Sequence, residues 1–359
     1  MVKLFDYYGW NETFSYDAWL TMISTIRGRG KTYGFTKQII KDFIKHGWRA
    51  CEFVRYKADL PGLTDSYFNK IQANGEYPDF VFKSDKRYMY IADKPRAGKK
   101  PDWDVMGYFV PLSKHQSVKS ESSRFYNVRR IKLDEFAIDK RKNRFLQYLP
   151  NEAEILFEAV DSVTRQQPGD KEIEPRIYLL SNAVDLMNPY FLFYHIGTEP
   201  KEGYSWVPGT DKRVLLHYEL NDDYARAKSE ETVAGKLMSL GGAGQDVLQG
   251  RFYTPANDFI AKKPSRAKFE FGVIYNGDHF GVWFDDRECF YYVTSKIPNN
   301  AFPVFSLTMA DNGTNVIAAR RAEAALSGFT EMHYAGCIRY DSTMTQAKFA
   351  DVLRLYGVR

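Results

Sequence analysis

Cysteine is scarce in this chain. Its three cysteines, Cys51, Cys289 and Cys337, lie far apart and match no metal-ligand spacing. They read as reduced, intracellular thiols, so neither a disulfide framework nor a cysteine metal site is expected. The six histidines are scattered without an H-E-x-x-H or similar pairing, which sets aside a histidine metal site as well. No apolar run approaches the roughly 20 residues a bilayer-spanning helix needs, and Met1–Tyr8 lacks the pattern of a signal peptide. No membrane partner is expected. Charge of one sign is not in large excess either. A formal net charge of +5 over 359 residues permits a polyanionic partner without demanding one. Aromatics, by contrast, are plentiful at 16%. The length suffices for two domains with buried cores.

One stretch organises the rest: Ser24-Thr25-Ile26-Arg27-Gly28-Arg29-Gly30-Lys31-Thr32. It fits the phosphate-binding pattern G-x-x-x-x-G-K-[ST] except at the first position, where Thr25 stands in place of glycine. Gly28 and Gly30 let the backbone curl so that successive N–H groups point at an anion. Lys31 brings a point charge to the β- and γ-phosphates, and the Thr32 hydroxyl can hold Mg²⁺. Arg27 and Arg29 complete the cofactor-binding set with Gly28, Gly30, Lys31 and Thr32. An apolar strand, Trp19–Ile23, precedes the loop. Helical periodicity over Tyr33–Ile44 follows it, so the phosphates would meet a helix N-terminus. A Gly/Arg-rich surface turn is the plainer alternative.

The second element is Val128-Arg129-Arg130-Ile131-Lys132-Leu133, running into Asp134-Glu135. A Walker B strand ends in this way: Asp134 would bind Mg²⁺ through water or Thr32, and Glu135 would polarise the attacking water. An adjacent Asp-Glu pair at a strand end is common by itself, and gains weight from the upstream loop.

Around these two, the chain alternates strands and helices. Tyr8, Trp10 or Tyr16 could stack on an adenine, although core packing suits each of them better. A helix over Thr36–His46 stops at Gly47. Arg49–Tyr56 alternates as a strand and delivers Lys57, giving a βαβ unit and a largely parallel sheet. Lys83–Ile91 and Asp104–Pro111 read as an antiparallel pair. The basic loop between them, Lys94-Pro95-Arg96-Ala97-Gly98-Lys99-Lys100, is either a solvated turn or a contact for nucleic-acid phosphates. A helix over Asn151–Val163 ends at Thr164-Arg165. Arg165 is either a surface cation at a helix C-terminus or a finger for a neighbour's γ-phosphate. The strand Arg176–Leu180 then brings Ser181-Asn182-Ala183 to its tip, where Asn182 could sense phosphate. The expected organisation is an ATPase domain over 1–220, a linker or small helical subdomain over 221–264, and an α/β domain over 265–359. The last opens with a hairpin, Lys268–Tyr275 and Phe280–Asp285, about Asn276-Gly277-Asp278-His279. It continues with a strand at Glu288–Ser295 and helices at Ala318–Leu326 and Gln346–Tyr356.

With these residues in place the chain resembles the DNA-packaging (encapsidation) ATPases of small short-tailed bacteriophages. The resemblance rests on the phosphate loop, Val54-Arg55-Tyr56-Lys57, Val110-Pro111-Leu112-Ser113 and Leu133-Asp134-Glu135-Phe136. It extends to Ser181-Asn182-Ala183-Val184, Asn188-Pro189-Tyr190-Phe191-Leu192-Phe193, Val273–Gly277 and Gly281-Val282-Trp283. It implies an α/β fold: a RecA-like, additional-strand P-loop domain, followed by an RNase H-like domain. It also implies an ATP- and Mg²⁺-dependent motor that drives double-stranded DNA through the portal of a procapsid, in the host cytoplasm at the portal vertex. The motor would work as a homo-oligomeric ring, expected to be a pentamer, and a phage-encoded structural RNA is a candidate partner. By position, Lys31 and Thr32 bind phosphates and Mg²⁺, Asp134 holds Mg²⁺ and Glu135 is the catalytic carboxylate. Arg165 aligns with a trans-acting finger, and Lys57 with a lysine acting across the subunit boundary. The nuclease reads as vestigial, because Tyr275 and Asn276 stand where a two-metal site needs an aspartate. Asp278, Asp285 and Asp286 lie nearby, in or beyond the turn. A P-loop helicase, a terminase with an active nuclease and a nucleotide-gated binding module are the competing readings.

Overall fold

A computed structural model of the chain describes residues 8–138, 147–165, 174–182, 186–197, 200–220, 226–227, 230–240, 259–311, 313, 316–356 and 358. Two compact units emerge, Met1–Tyr253 and Thr254–Arg359. Of the segment 221–264 expected as a linker, little beyond a helix over Val233–Ser239 is described. The Gly241–Gly244 break and Ala183-Val184 lie outside the described residues.

The first unit begins with helix α1 (Trp10–Ser15), strand β1 (Leu20–Thr25), helix α2 (Lys31–His46) and strand β2 (Arg49–Val54). Short helices α3 (Leu60–Thr64) and α4 (Asn69–Ala73) lead to strands β3 (Phe80–Ser84), β4 (Tyr88–Asp93) and β5 (Asp104–Pro111). Helix α5 (His115–Ser120), strand β6 (Val128–Asp134), helix α6 (Glu152–Thr164), strand β7 (Arg176–Asn182) and helix α7 (Pro189–Phe193) follow. Strands β8 (Gly203–Trp206) and β9 (Val214–Glu219) end the sheet.

The nine strands lie in the order β3-β4-β5-β2-β6-β7-β1-β9-β8. The six from β5 to β9 are parallel, and antiparallel strands finish both edges. Strand β7 lies between the strand bearing the phosphate loop and the strand ending in Asp134. That intervening strand defines the additional-strand class. The alternation of side chains across each central strand feeds two cores. Leu20 and Met22 of β1 and Leu179 of β7 face the core beneath α6 and α7. Ile23, Tyr178 and Leu180 face the core beneath α2. All six residues of β1 are buried, as expected where both faces of a sheet are covered. Its three apolar side chains bring roughly 4.5–9 kcal/mol of burial free energy, a firm base for the loop that follows.

The segment Lys83–Ile91 is not one strand but the end of β3, a turn and most of β4. Asp85 makes the break: its Oδ1 accepts from the backbone N–H of both Arg87 and Tyr88 at 2.9 Å, an Asx turn. Only β4 pairs with β5 as the expected antiparallel partner.

The second unit holds the sheet β14-β13-β10-β11-β12-β15. Strands β10 (Lys268–Tyr275), β11 (Asp278–Asp285) and β12 (Phe290–Thr294) form an antiparallel meander. Strands β13 (Val304–Ser306) and β14 (Val316–Ala318) continue it in parallel from β10, and β15 (Ile338–Tyr340) joins β12. Helices Ala319–Tyr334 and Thr343–Leu355 complete this RNase H-like α/β arrangement. The hairpin turn is shorter than the four residues expected. Asn276 and Gly277, at φ 51° and 76°, make a two-residue turn, because both tolerate the left-handed backbone.

Candidate active site

The phosphate loop leaves β1 at Thr25 and enters α2 at Lys31. Gly28 and Gly30 take φ of 100° and 73°, backbone that residues with a Cβ rarely adopt. Gly30 caps α2, so the helix begins at Lys31, earlier than its apolar periodicity starts. Thr25, in place of the first glycine, is buried at the strand end. Its Oγ1 accepts from the Lys31 ammonium at 2.9 Å, so the departure from the pattern gives the lysine a partner. Burial pulls the Lys31 ammonium down to about 8, against the opposing charges of Asp134 and Glu219.

Strand β6 ends beside this loop. Thr32 Oγ1 donates to Asp134 Oδ2 at 2.6 Å, joining two residues 102 apart in sequence. Glu135 follows with an exposed side chain and φ of 55°, and its N–H donates to Asp134 Oδ1 at 3.0 Å. The strained backbone is held from behind by Arg55, whose Nη2 donates to the carbonyls of Glu135 (3.1 Å) and Phe136 (3.3 Å). Arg55 also clamps the fully buried Glu152 through Nε (2.7 Å) and Nη2 (2.9 Å). Tyr190 and the N–H of Leu149 satisfy the same carboxylate. Sequence reasoning assigned Arg55 no role, although it stands in the quoted Val54–Lys57 block.

A second buried pair lies under Asp134. Lys132 Nζ is 2.8 Å from Glu52 Oε1 and 3.8 Å from Asp134 Oδ2. Desolvation raises the Glu52 carboxyl against the pull of Lys132. The signal in the sequence was a lysine inside an otherwise buried central strand.

The other expected contacts divide. Arg27 is exposed at the loop's tip. Arg29 is buried and pairs with Glu219 of β9 at 2.6 Å, so it braces the loop against its neighbouring strand. Asn182 ends β7 opposite Thr25. Lys57 is exposed after β2 and lines a cavity of about 510 Å³ with Lys86, Arg87, Lys114, Glu121 and Arg124. Arg165 caps α6, exposed, with Nε and Nη2 donating to Asp161 Oδ2 at 3.0 and 2.6 Å. Of the aromatics weighed for adenine, Tyr8 and Trp10 are core residues and Tyr16 stacks on Tyr204. Trp10 instead supports the loop: its Nε1 donates to the Lys31 carbonyl at 3.0 Å, and its ring lies against Gly34.

In the second unit the three aspartates near the expected ligand position each meet a cation. Asp278 accepts from Lys348 at 2.7 Å, Asp285 pairs with Arg266 at 2.7 Å, and Asp286 with Lys268 at 3.2 Å. Arg266 and the neighbouring N–H groups hold the Asp285 carboxyl below the usual range.

A glycine-lined loop at a helix N-terminus, with a threonine bonded to the aspartate of a strand beyond an intervening one, defines a P-loop protein of the additional-strand class. The residues of this candidate site gather at the carboxyl ends of the parallel strands, where α/β sheets place their ligands. The chain belongs to the podovirus DNA encapsidation protein (Gp16) family, whose pattern matches residues 2–355. It is 29% identical over 332 residues to the DNA packaging protein of Bacillus phage B103, covering 92% of this chain and 95% of that protein. It is 31% identical over 317 residues to the counterpart in Bacillus phage PZA, covering 87% and 85%. The solved bacteriophage Phi-29 viral genome packaging motor assembly contains a similar chain. The TM-score is 0.67 at 27% identity, over 97% of this chain and 99% of that one.

Proposed function

We propose that this protein is an ATP-hydrolysing motor that moves double-stranded viral DNA into a procapsid through the portal, acting in the host cytoplasm. The observation that carries the reading is the Thr32–Asp134 hydrogen bond of 2.6 Å, set between the glycine loop and Glu135. The donor set suits a magnesium nucleotide: a hydroxyl and a carboxylate oxygen for a hard cation, and a buried ammonium beside curled backbone. When bound, Mg²⁺ neutralises charge on the β- and γ-phosphates. Thr32 and Asp134 would hold it, and Lys31 would exchange Thr25 for phosphate oxygens. Arg27, Gly28, Arg29 and Gly30 shape the cradle, with Asn182 at its side. The Glu135 carboxylate takes the proton of the attacking water, a contribution of about 10²–10⁴ in rate.

Arg165 and Lys57 serve the nucleotide of the adjacent subunit in a homo-oligomeric ring, taken as a pentamer. Breaking the exposed Arg165–Asp161 pair to reach across costs little, about 0.3–0.5 kcal/mol. The domains divide as an ATPase part over 1–220, a linker over 221–264 and a vestigial nuclease-like part over 265–359. The last would dock on the portal or on a structural RNA.

Glu135→Gln tests the assignment. Expected are ATP affinity close to wild type and a DNA-stimulated turnover at least about 100-fold lower. Turnover within about threefold of wild type would remove Glu135 from the chemistry and overturn its assignment as the catalytic carboxylate.

A further inference from the structure

The loop joining β4 to β5 carries Lys94, Arg96, Lys99 and Lys100, all exposed. Among the described residues none of the four makes an ion pair, although Asp93, Asp102 and Asp104 stand at the loop's feet. The four cations therefore remain exposed to solvent. Local geometry keeps them so. Gly98 at φ 81° and the Lys99 N–H bonded to the Arg96 carbonyl at 3.0 Å tighten the tip. The Lys94 N–H is anchored to the Asp79 carbonyl at 2.8 Å. The four cations line a cavity of about 460 Å³ together with Phe43 and Ile44 of α2. Ten residues between strands reach at most about 16 Å out and back.

Topology adds the second argument. Strand β5 runs parallel to β2 and β6, so its start at Asp104 lies at the end of the sheet opposite Thr32 and Asp134. Charge there cannot serve the unit's own nucleotide. The cavity around Lys57 differs in place: it lies at the nucleotide end, where Lys57 follows β2 and Pro111 ends β5.

We infer that the 94–100 loop grips the phosphate backbone of duplex DNA, independently of sequence. This rests on the motor reading above and names its DNA-contacting element. Phosphate contacts position without specifying, which a contact that must travel along any sequence requires. Strand β5, hydrogen-bonded to β2, connects the loop rigidly to the nucleotide end.

The test is duplex-DNA affinity of the full-length protein as a function of salt. It compares wild type with a variant carrying Lys94→Gln, Arg96→Gln, Lys99→Gln and Lys100→Gln, and with a Lys86→Gln/Lys114→Gln control. Four lost phosphate contacts should lower the slope of log K against log[salt] by about 3.6. The wild-type advantage should therefore shrink about 150-fold between 50 and 200 mM salt. Basal ATP turnover should persist, showing that the variant is folded, while stimulation by DNA is lost. A slope within one unit of wild type, or a slope that falls only in the control, overturns the inference and leaves the motor reading standing. So does loss of affinity for duplex RNA with DNA binding intact. A wild-type protein without salt-dependent affinity for duplex DNA overturns both.

Discussion

Gly34→Ala sets two opposing effects against each other in the helix that begins with Lys31. In an open helix interior, alanine is favoured over glycine by about 0.8–1 kcal/mol. At Gly34 a Cβ would sit 2.4 Å from Trp10 Cδ1 and 2.6 Å from its Nε1, inside any allowed contact. Trp10 has no easy retreat, being buried and packed on Phe14, Phe35, Tyr178 and Tyr8. Overpacking of a filled core costs about 1–3 kcal/mol. Pushing Trp10 off the Lys31 carbonyl adds about 0.5–1.5 kcal/mol. The clash wins, and the net effect is a destabilisation of roughly 0.5–3.5 kcal/mol. ATP should also bind more weakly, because the carbonyl that Trp10 holds belongs to Lys31, the lysine proposed to meet the phosphates. The control is Gly328→Ala, at an exposed helical glycine whose added Cβ meets nothing within 4 Å. There the propensity term acts alone, and stability should rise by up to about 1 kcal/mol. Denaturant unfolding of both variants, with nucleotide titration of the first, reads the outcome. A Gly34→Ala protein as stable as wild type would refute the packing argument.

Two further outcomes are expected. Burial, with the cations of Arg29 and Lys31 nearby, holds His217 down to about 4, and its Nδ1 is bonded to the Tyr8 hydroxyl at 2.7 Å. The group is neutral when folded and protonates more readily unfolded. Its stabilisation is therefore complete above about pH 6.5 and is lost as pH falls toward 4. Going from pH 7.5 to 5.5 should cost about 1.3 kcal/mol through this residue, a loss that His217→Gln should remove from the pH dependence of urea unfolding. If both proteins lose stability equally over that range, the buried histidine is not the source. Arg165→Ala and Glu135→Gln, each inactive alone, should recover part of the ATPase activity when mixed on DNA, because some junctions then pair an intact Glu135 site with a neighbour's intact Arg165. An Arg165→Ala protein that hydrolyses ATP normally on DNA returns the arginine to the surface.

What the sequence determined by itself was local. Gly28, Gly30, Lys31 and Thr32 declare a phosphate loop because the chemistry needs those types at that spacing. The apolar run Trp19–Ile23 and the carboxylates after Leu133 mark the strands that present it. Asn276-Gly277 marked a hairpin because few other pairs accept a left-handed backbone, although the turn proved two residues long. The split at Asp85 was written just as locally, in a side chain that bonds its own backbone, and alternation alone passed over it. The long-range pairs belong to the tertiary structure. Arg29 meets Glu219 across 190 residues, Arg55 meets Glu152 across 97, and Lys132 finds Glu52 on an adjacent strand. No periodicity along one segment reports which charge from another will be buried beside it. The placing of β9 beside β1 and of β2 beside β6 decides the first and last of these meetings, since strand order selects which side chains become neighbours. In the same way Trp10 looked like any aromatic until the fold laid it against Gly34, where the absence of a side chain leaves room for its ring.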